Sequence, residues 1–185
     1  MIMDSHVKIK VSTILMKKIF INGNAWLLIA LFIMAALFFS SSQSYQSQSQ
    51  VSNLSQLLPS HPFTKQLSQV HFSYAGSNVS IEHLGYYRFV EFFLRKFAHF
   101  SSYFLLGISL YLGIKNRFNI KQLLPIVAIT TWLAATGYAS LDELHQMYTS
   151  GRSPLFQDVL LDSIGALTGI MIIFLISTLT RHYKK

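Results

Sequence analysis

Lys96, His99 and Tyr103 stand three and four residues apart, Asp142 and Glu143 are followed by Gln146, and Asp158 and Asp162 are four apart with Arg152 just upstream. Side chains three or four apart share one face of a helix, so each group becomes a polar stripe if its segment is helical. Together they offer anion recognition: Arg152 as a fork-shaped clamp for phosphate or carboxylate and Lys96 as a point charge. His99 could exchange a proton with such a ligand, while Asp142 and Glu143 could hold His99 or Arg152 in place. Adjacent carboxylates raise one another's proton affinity, which makes His99, Asp142 and Glu143 the catalytic candidates. The competing reading is a structural ion-pair network that locks helices together.

Metal chemistry is the next option these residue types raise. His99, Asp142, Glu143, His145, Asp158 and Asp162 all carry ligand atoms, but no compact spacing such as His-Glu-x-x-His is present, and Lys96 and Arg152 repel a cation. No metal and no cofactor is expected. Ser101, Ser102 and Ser150 lie in no Gly-x-Ser-x-Gly elbow and read as packing or loop polarity. The absence of cysteine removes disulfides, thiol catalysis and cysteine metal sites. Tyr103 is either a ligand-facing hydroxyl or a packing aromatic with its hydroxyl satisfied.

The elements that position these groups are apolar runs. The chain of 185 residues is 51% hydrophobic and 12% charged. Residues Phe20 to Phe39, Phe97 to Ile114, Leu123 to Leu141 and Val159 to Leu179 each approach the roughly 20 apolar residues that cross a bilayer as helix. The expected fold is all-α: a polytopic membrane bundle of four transmembrane helices in a single domain spanning 1–185, with an extracytoplasmic segment, 40–94, between the first two. A basic start before the first span resembles a signal peptide, but no A-x-A cleavage signal follows, so the helix is expected to be retained.

A formal charge of +8 raises the question of nucleic acid, and the placement of the charges answers it. Ten of the fifteen basic residues precede the first span, fill the short loop at Lys115, Arg117 and Lys121, or follow the fourth span. Set against Asp4 they leave +9 on one side and −1 on the other. The positive-inside rule makes the basic side cytoplasmic, with both termini there. A multi-pass protein of the cytoplasmic membrane is expected, with membrane lipids and no nucleic acid among its partners.

Ser40 to Gln50 is a Ser/Gln-rich tract expected to be poorly ordered. Val51 to Leu58 and Phe63 to Val70 read as short surface helices broken by Pro59 and Pro62, and His71–Tyr74 with Asn78–Ile81 as a small hairpin around Ala-Gly-Ser. Tyr86, Tyr87, Phe89, Phe92, Phe93 and Phe97 suit the headgroup zone. Glu91 and Arg95 are placed to pair. Gly165 and Gly169 form G-x-x-x-G on the face of Asp158 and Asp162, which should therefore point into the bundle against another helix.

Through Lys96-x-x-His99-x-x-x-Tyr103, Asp142-Glu143-x-x-Gln146, Arg152, Asp158-x-x-x-Asp162 and Gly165-x-x-x-Gly169, the chain resembles the VanZ-like family from about Arg95 to Gly169. The resemblance implies a small bacterial integral membrane protein of the cell envelope, of the kind most familiar from a member that lowers susceptibility to teicoplanin. The placement of the charged groups themselves leads us to expect a polar site, formed by those residues at the outer leaflet, for a lipid-linked envelope precursor or an amphiphilic antibiotic. Turnover of a lipid-linked phosphate is one alternative, and a carrier, which four spans without inverted repeats would build only as a homodimer, is another. An accessory subunit bound to an envelope protein is a further one.

Overall fold

The computed structural model describes residues 22–120, 122–149 and 154–182. Among these, the regular secondary structure is helical except for one two-stranded hairpin. Helix α1 spans Gly23–Ser41, α2 Val51–Leu57, α3 Thr64–Leu67, β1 Phe72–Tyr74, β2 Ser77–Val79, α4 Ile81–Leu84, α5 Tyr86–Arg117, α6 Leu124–Met147 and α7 Phe156–His182. Four of them, α1, α5, α6 and α7, are long and apolar enough to cross a membrane, so the protein is a four-span helical bundle. Phe20, where the first span was expected to begin, lies outside the described residues, as do Arg152, Lys121 and the basic residues ahead of α1.

Local signals set the helix ends. The Asn22 side chain accepts from the Asn24 and Ala25 N–H groups at 3.1 and 3.3 Å and caps α1. Pro125 sits in the first turn of α6, where its missing N–H costs nothing. Between spans, lipid gives no hydrophobic reward for helix association, so close packing and interhelical polar bonds must hold the bundle. α5 is its centre, packing along α7, α1 and α6. The tightest seam is α5 on α7: a Cβ added at Gly165 would meet the Phe100 carbonyl oxygen at 2.6 Å, one at Gly107 the Ala166 carbonyl oxygen at 2.5 Å, and one at Gly169 the Phe104 carbonyl. Leu37, Tyr103, Leu106, Ala135, Ala139 and Ala166 fill the middle of the bundle, and Leu31, Phe32, Leu133 and Leu175 face outward.

Three expectations are corrected. The second membrane helix begins at Tyr86, well before Phe97, so the segment between the first two spans is 42–85 and the charged stretch Glu91–Lys96 is helical. Its charges ended the apolar run, but they lie on the inward face, where Glu91 is 3% exposed, while Phe89 on the same turn is fully buried. The Ser40–Gln50 tract is folded: the Gln48 amide donates to the Ser40 carbonyl at 2.7 Å, and the Gln50 N–H donates to Glu91 Oε1 at 2.5 Å. Its side chains supply the hydrogen bonds that an apolar core would otherwise have to replace. The hairpin turn is Ala75-Gly76 alone, with φ of 49° and 79°, and Tyr74 pairs with Ser77. Positive φ at both central residues matches the right-handed twist of the flanking strands.

Candidate functional site

The polar stripes of α5 and α7 meet in register. Lys96 Nζ donates to Asp158 Oδ1 at 2.5 Å, and one turn further His99 Nδ1 lies 3.3 Å from Asp162 Oδ2. The pairs advance together along both helices, so α5 and α7 run parallel, and the glycine seam that follows sets the distance at which these side chains can touch. From the hairpin, the Tyr74 hydroxyl donates to the same Asp158 oxygen at 2.5 Å, and its ring lies 4.5 Å from Lys96 Nζ. The Phe92 ring is 5.3 Å from that ammonium, so Lys96 is held by one carboxylate and two aromatic faces. Burial, and then the bond to Asp158, push the Tyr74 phenol above its ordinary range.

Asp142 and Glu143 point into the same end of the bundle but hold other partners than expected. Asp142 accepts from Ser41 Oγ at 2.5 Å, Gln146 Nε2 reaches the same hydroxyl at 3.5 Å, and Thr149 Oγ1 donates to the Ser41 carbonyl at 3.0 Å. These contacts pin the end of α1 to α6. Glu143 Oε1 accepts from the Leu155 N–H at 2.5 Å, and the Leu155 carbonyl in turn accepts from Asp158 N and Val159 N. Glu143 thus satisfies a free donor at the start of α7 and sets its charge against the positive end of the helix dipole. His99, one of the two partners expected for this pair, is held by Asp162 instead, because α7 rather than α6 lies against that face of α5, and Arg152, the other, lies outside the described residues.

Tyr103 is fully buried, 6.4 Å from the Tyr138 ring, within electrostatic reach of Asp142 and Asp162. Its hydroxyl and Asp162 Oδ1 have no hydrogen-bond partner among the described residues. Every predicted site residue except Arg152 therefore lies in one neighbourhood: Lys96, His99, Tyr103, Asp142, Glu143, Gln146, Asp158 and Asp162. Arg152 and the turn from Ser150 to Ser153 lie outside the described residues. Among the described residues, no three His, Asp or Glu side chains converge in a metal-holding group.

Sequence reasoning missed Tyr74, Ser41 and Arg88. A cleft of about 590 Å³ runs under the hairpin, lined by Tyr74, Arg88, Arg95, Lys96, His99 and Asp158 among others, a size typical of small-molecule sites. Arg95 sits 4.3 Å over the Tyr45 ring and 3.6 Å from Glu91, whereas Arg88 is exposed and has no carboxylate partner among the described residues. The one available signal was the spacing Arg88, Glu91, Arg95, which continues the Lys96–His99 helix upstream.

A four-helix membrane bundle whose charged side chains converge at one end of its spans, beneath a folded hairpin cap, is the class defined by this fold and site. The chain belongs to the VanZ/LLP1 family, whose model matches residues 26–177 and so includes all four spans and the site. No curated protein and no solved structure matches it.

Proposed function

We propose that the protein is a bacterial cytoplasmic-membrane protein, with both termini in the cytoplasm, whose site at the outer leaflet recognises the anionic headgroup of a cell-envelope amphiphile. A lipid-linked phosphate is the ligand class that best suits it. The observation that carries this reading is the 590 Å³ cleft into which Arg88, Arg95, Lys96 and His99 converge, with Arg88 left without a carboxylate partner among the described residues. Guanidinium groups offer planar, bidentate donation to phosphate, and Lys96 can trade part of its bond to Asp158 for a ligand oxygen. The bonds of Asp142 and Glu143 to Ser41 and Leu155 favour a positioning role, hence recognition over turnover. An effect on susceptibility to glycopeptides or lipoglycopeptides such as teicoplanin would follow if such a ligand is sequestered or shielded.

Native mass spectrometry of gently extracted protein tests the reading. A co-purifying phospho-lipid is expected on the wild-type chain and is expected to be lost in the Arg88→Ala, Arg95→Ala double variant. Retention of the same lipids by both would remove the headgroup site. In cells, the same variant should shift teicoplanin susceptibility only if the site underlies it.

A further inference from the structure

Lys115 lies in the last turn of α5, at the end of the bundle away from the cleft, and its ammonium donates to Ser177 Oγ of α7 at 2.6 Å. A lysine at the end of a span ordinarily snorkels outward into water. Lys115 is instead half-buried, reaches across to the neighbouring helix, and lies 5.9 Å from the ring of the buried Tyr111 one turn back. The end of α5 fixes it there. Asn119, at φ 49°, stops the helix in the left-handed conformation, and the Ile120 N–H closes back on the Lys115 carbonyl at 2.9 Å, as in a Schellman cap.

Ser177 is neutral and leaves the charge of Lys115 uncompensated. No carboxylate pairs with Lys115 among the described residues; those they include lie on α4, the first half of α5, the end of α6 and the start of α7, all at the opposite end. A half-buried cation held by a hydroxyl alone favours an incoming anion. The surroundings say which kind. Ile114, Ile173 and Phe174 are half-buried around Tyr111, and Ile172, Leu175 and Ile176 of α7 face outward. Lys115 therefore stands where the apolar surface of the spans ends, the depth of a headgroup phosphate above its acyl chains. A soluble phosphate would use the ammonium and leave that apolar flank bare. We propose that Lys115, positioned by Ser177, binds the phosphate of an anionic phospholipid in the leaflet at this end of the bundle, through the two N–H groups not given to Ser177. The site is separate from the cationic cleft, and only the naming of its leaflet as the cytoplasmic one rests on the proposed orientation.

Native mass spectrometry of the full chain with equal amounts of phosphatidylglycerol and phosphatidylcholine, matched in acyl chains, tests it. The Arg88→Ala, Arg95→Ala background keeps the cleft from contributing. Phosphatidylglycerol is expected to be retained about fivefold over phosphatidylcholine, the worth of one basic side chain at a membrane surface. Lys115→Met should bring that ratio close to one, and Ser177→Ala, which keeps the charge but loses its positioning, should at least halve it. Arg117→Gln removes an exposed charge two residues on and should change the ratio little. Should Lys115→Met fail to fold, Ser177→Ala keeps the test decisive. A ratio near one in the starting protein, or one unaltered in Ser177→Ala, overturns the site. So does an equal loss in Lys115→Met and Arg117→Gln, which is the mark of diffuse attraction to a basic surface. Displacement of phosphatidylglycerol by an equal concentration of soluble glycerol 1-phosphate upholds the phosphate chemistry and overturns the lipid as its source.

Discussion

Asp158 receives both Lys96 and Tyr74 on one oxygen, so the three side chains stand or fall together. Lys96→Met leaves a largely buried carboxylate short of its countercharge and should destabilise the protein on the order of 3 kcal/mol. The double variant Lys96→Met, Asp158→Leu should recover much of that loss, because it removes both charges at once; thermal melts of the single and double variants in one detergent measure the coupling. Tyr74→Phe should lower stability at neutral pH by about 1.5–3 kcal/mol, the range for a hydrogen bond to a charged group. Its pH dependence has a definite sign. Because the folded protein holds the Tyr74 proton more tightly than the unfolded chain does, its contribution is complete below the ordinary phenol value near 10 and shrinks as pH rises above it. The stability gap between wild type and Tyr74→Phe, followed by chemical denaturation from pH 8 to about pH 11, should therefore narrow at the alkaline end. These residues differ in how far sequence could reveal them. Lys96, His99, Asp158 and Asp162 announced themselves by helical spacing, whereas Tyr74 reaches the site from a hairpin more than eighty residues ahead of Asp158, and no local pattern encodes that contact.

Helix packing explains which parts of the fold could be read from spacing and which could not. The four spans emerged because long apolar runs leave few alternatives in a bilayer, and G-x-x-x-G marked the packing face of α7 because backbone proximity requires missing side chains, while the partner, α5, is given by the structure. The upstream start of α5 was hidden, since its Arg88, Glu91, Arg95 and Lys96 interrupt hydropathy while leaving the helix intact: Glu91, Arg95 and Lys96 pair or lie against aromatic rings, and Arg88 is exposed. Nor did composition show that Ser40–Gln50 folds, because its bonds reach Glu91, a partner far away in sequence. A contrast between glycines tests the seam. Gly165→Ala must push against the Phe100 carbonyl and should cost about 1–3 kcal/mol, with loss of the Lys96 and His99 pairings as the helices part. Gly137, on α6, has nothing within 4 Å of where a Cβ would lie, so Gly137→Ala should be neutral or should stabilise by up to about 1 kcal/mol. Melting the two variants side by side distinguishes a packing requirement from a general intolerance of substitution.

For the molecule as a whole, the decisive quantity is which way the charged end faces. The hairpin and the cleft sit at the end where α1 stops and α5 and α7 start, while the last turn of α5, with Lys115 and Arg117, marks the opposite end. Short loops rich in lysine and arginine remain cytoplasmic, because moving those charges across the bilayer opposes the membrane potential. On the proposed topology the site faces the outer surface, where an envelope precursor or a glycopeptide would reach it without crossing the membrane. The chain contains no cysteine, so single engineered thiols report topology without background. Gln56→Cys lies at an exposed position of α2 and Gln122→Cys at an exposed position of the α5–α6 loop. In intact cells a membrane-impermeant maleimide should label Gln56→Cys at once and Gln122→Cys only after permeabilisation. The reverse pattern would turn the cleft toward the cytoplasm, where Arg88, Arg95 and Lys96 would meet soluble phosphates instead of outer-leaflet lipids, and the proposed ligand class would have to change with it.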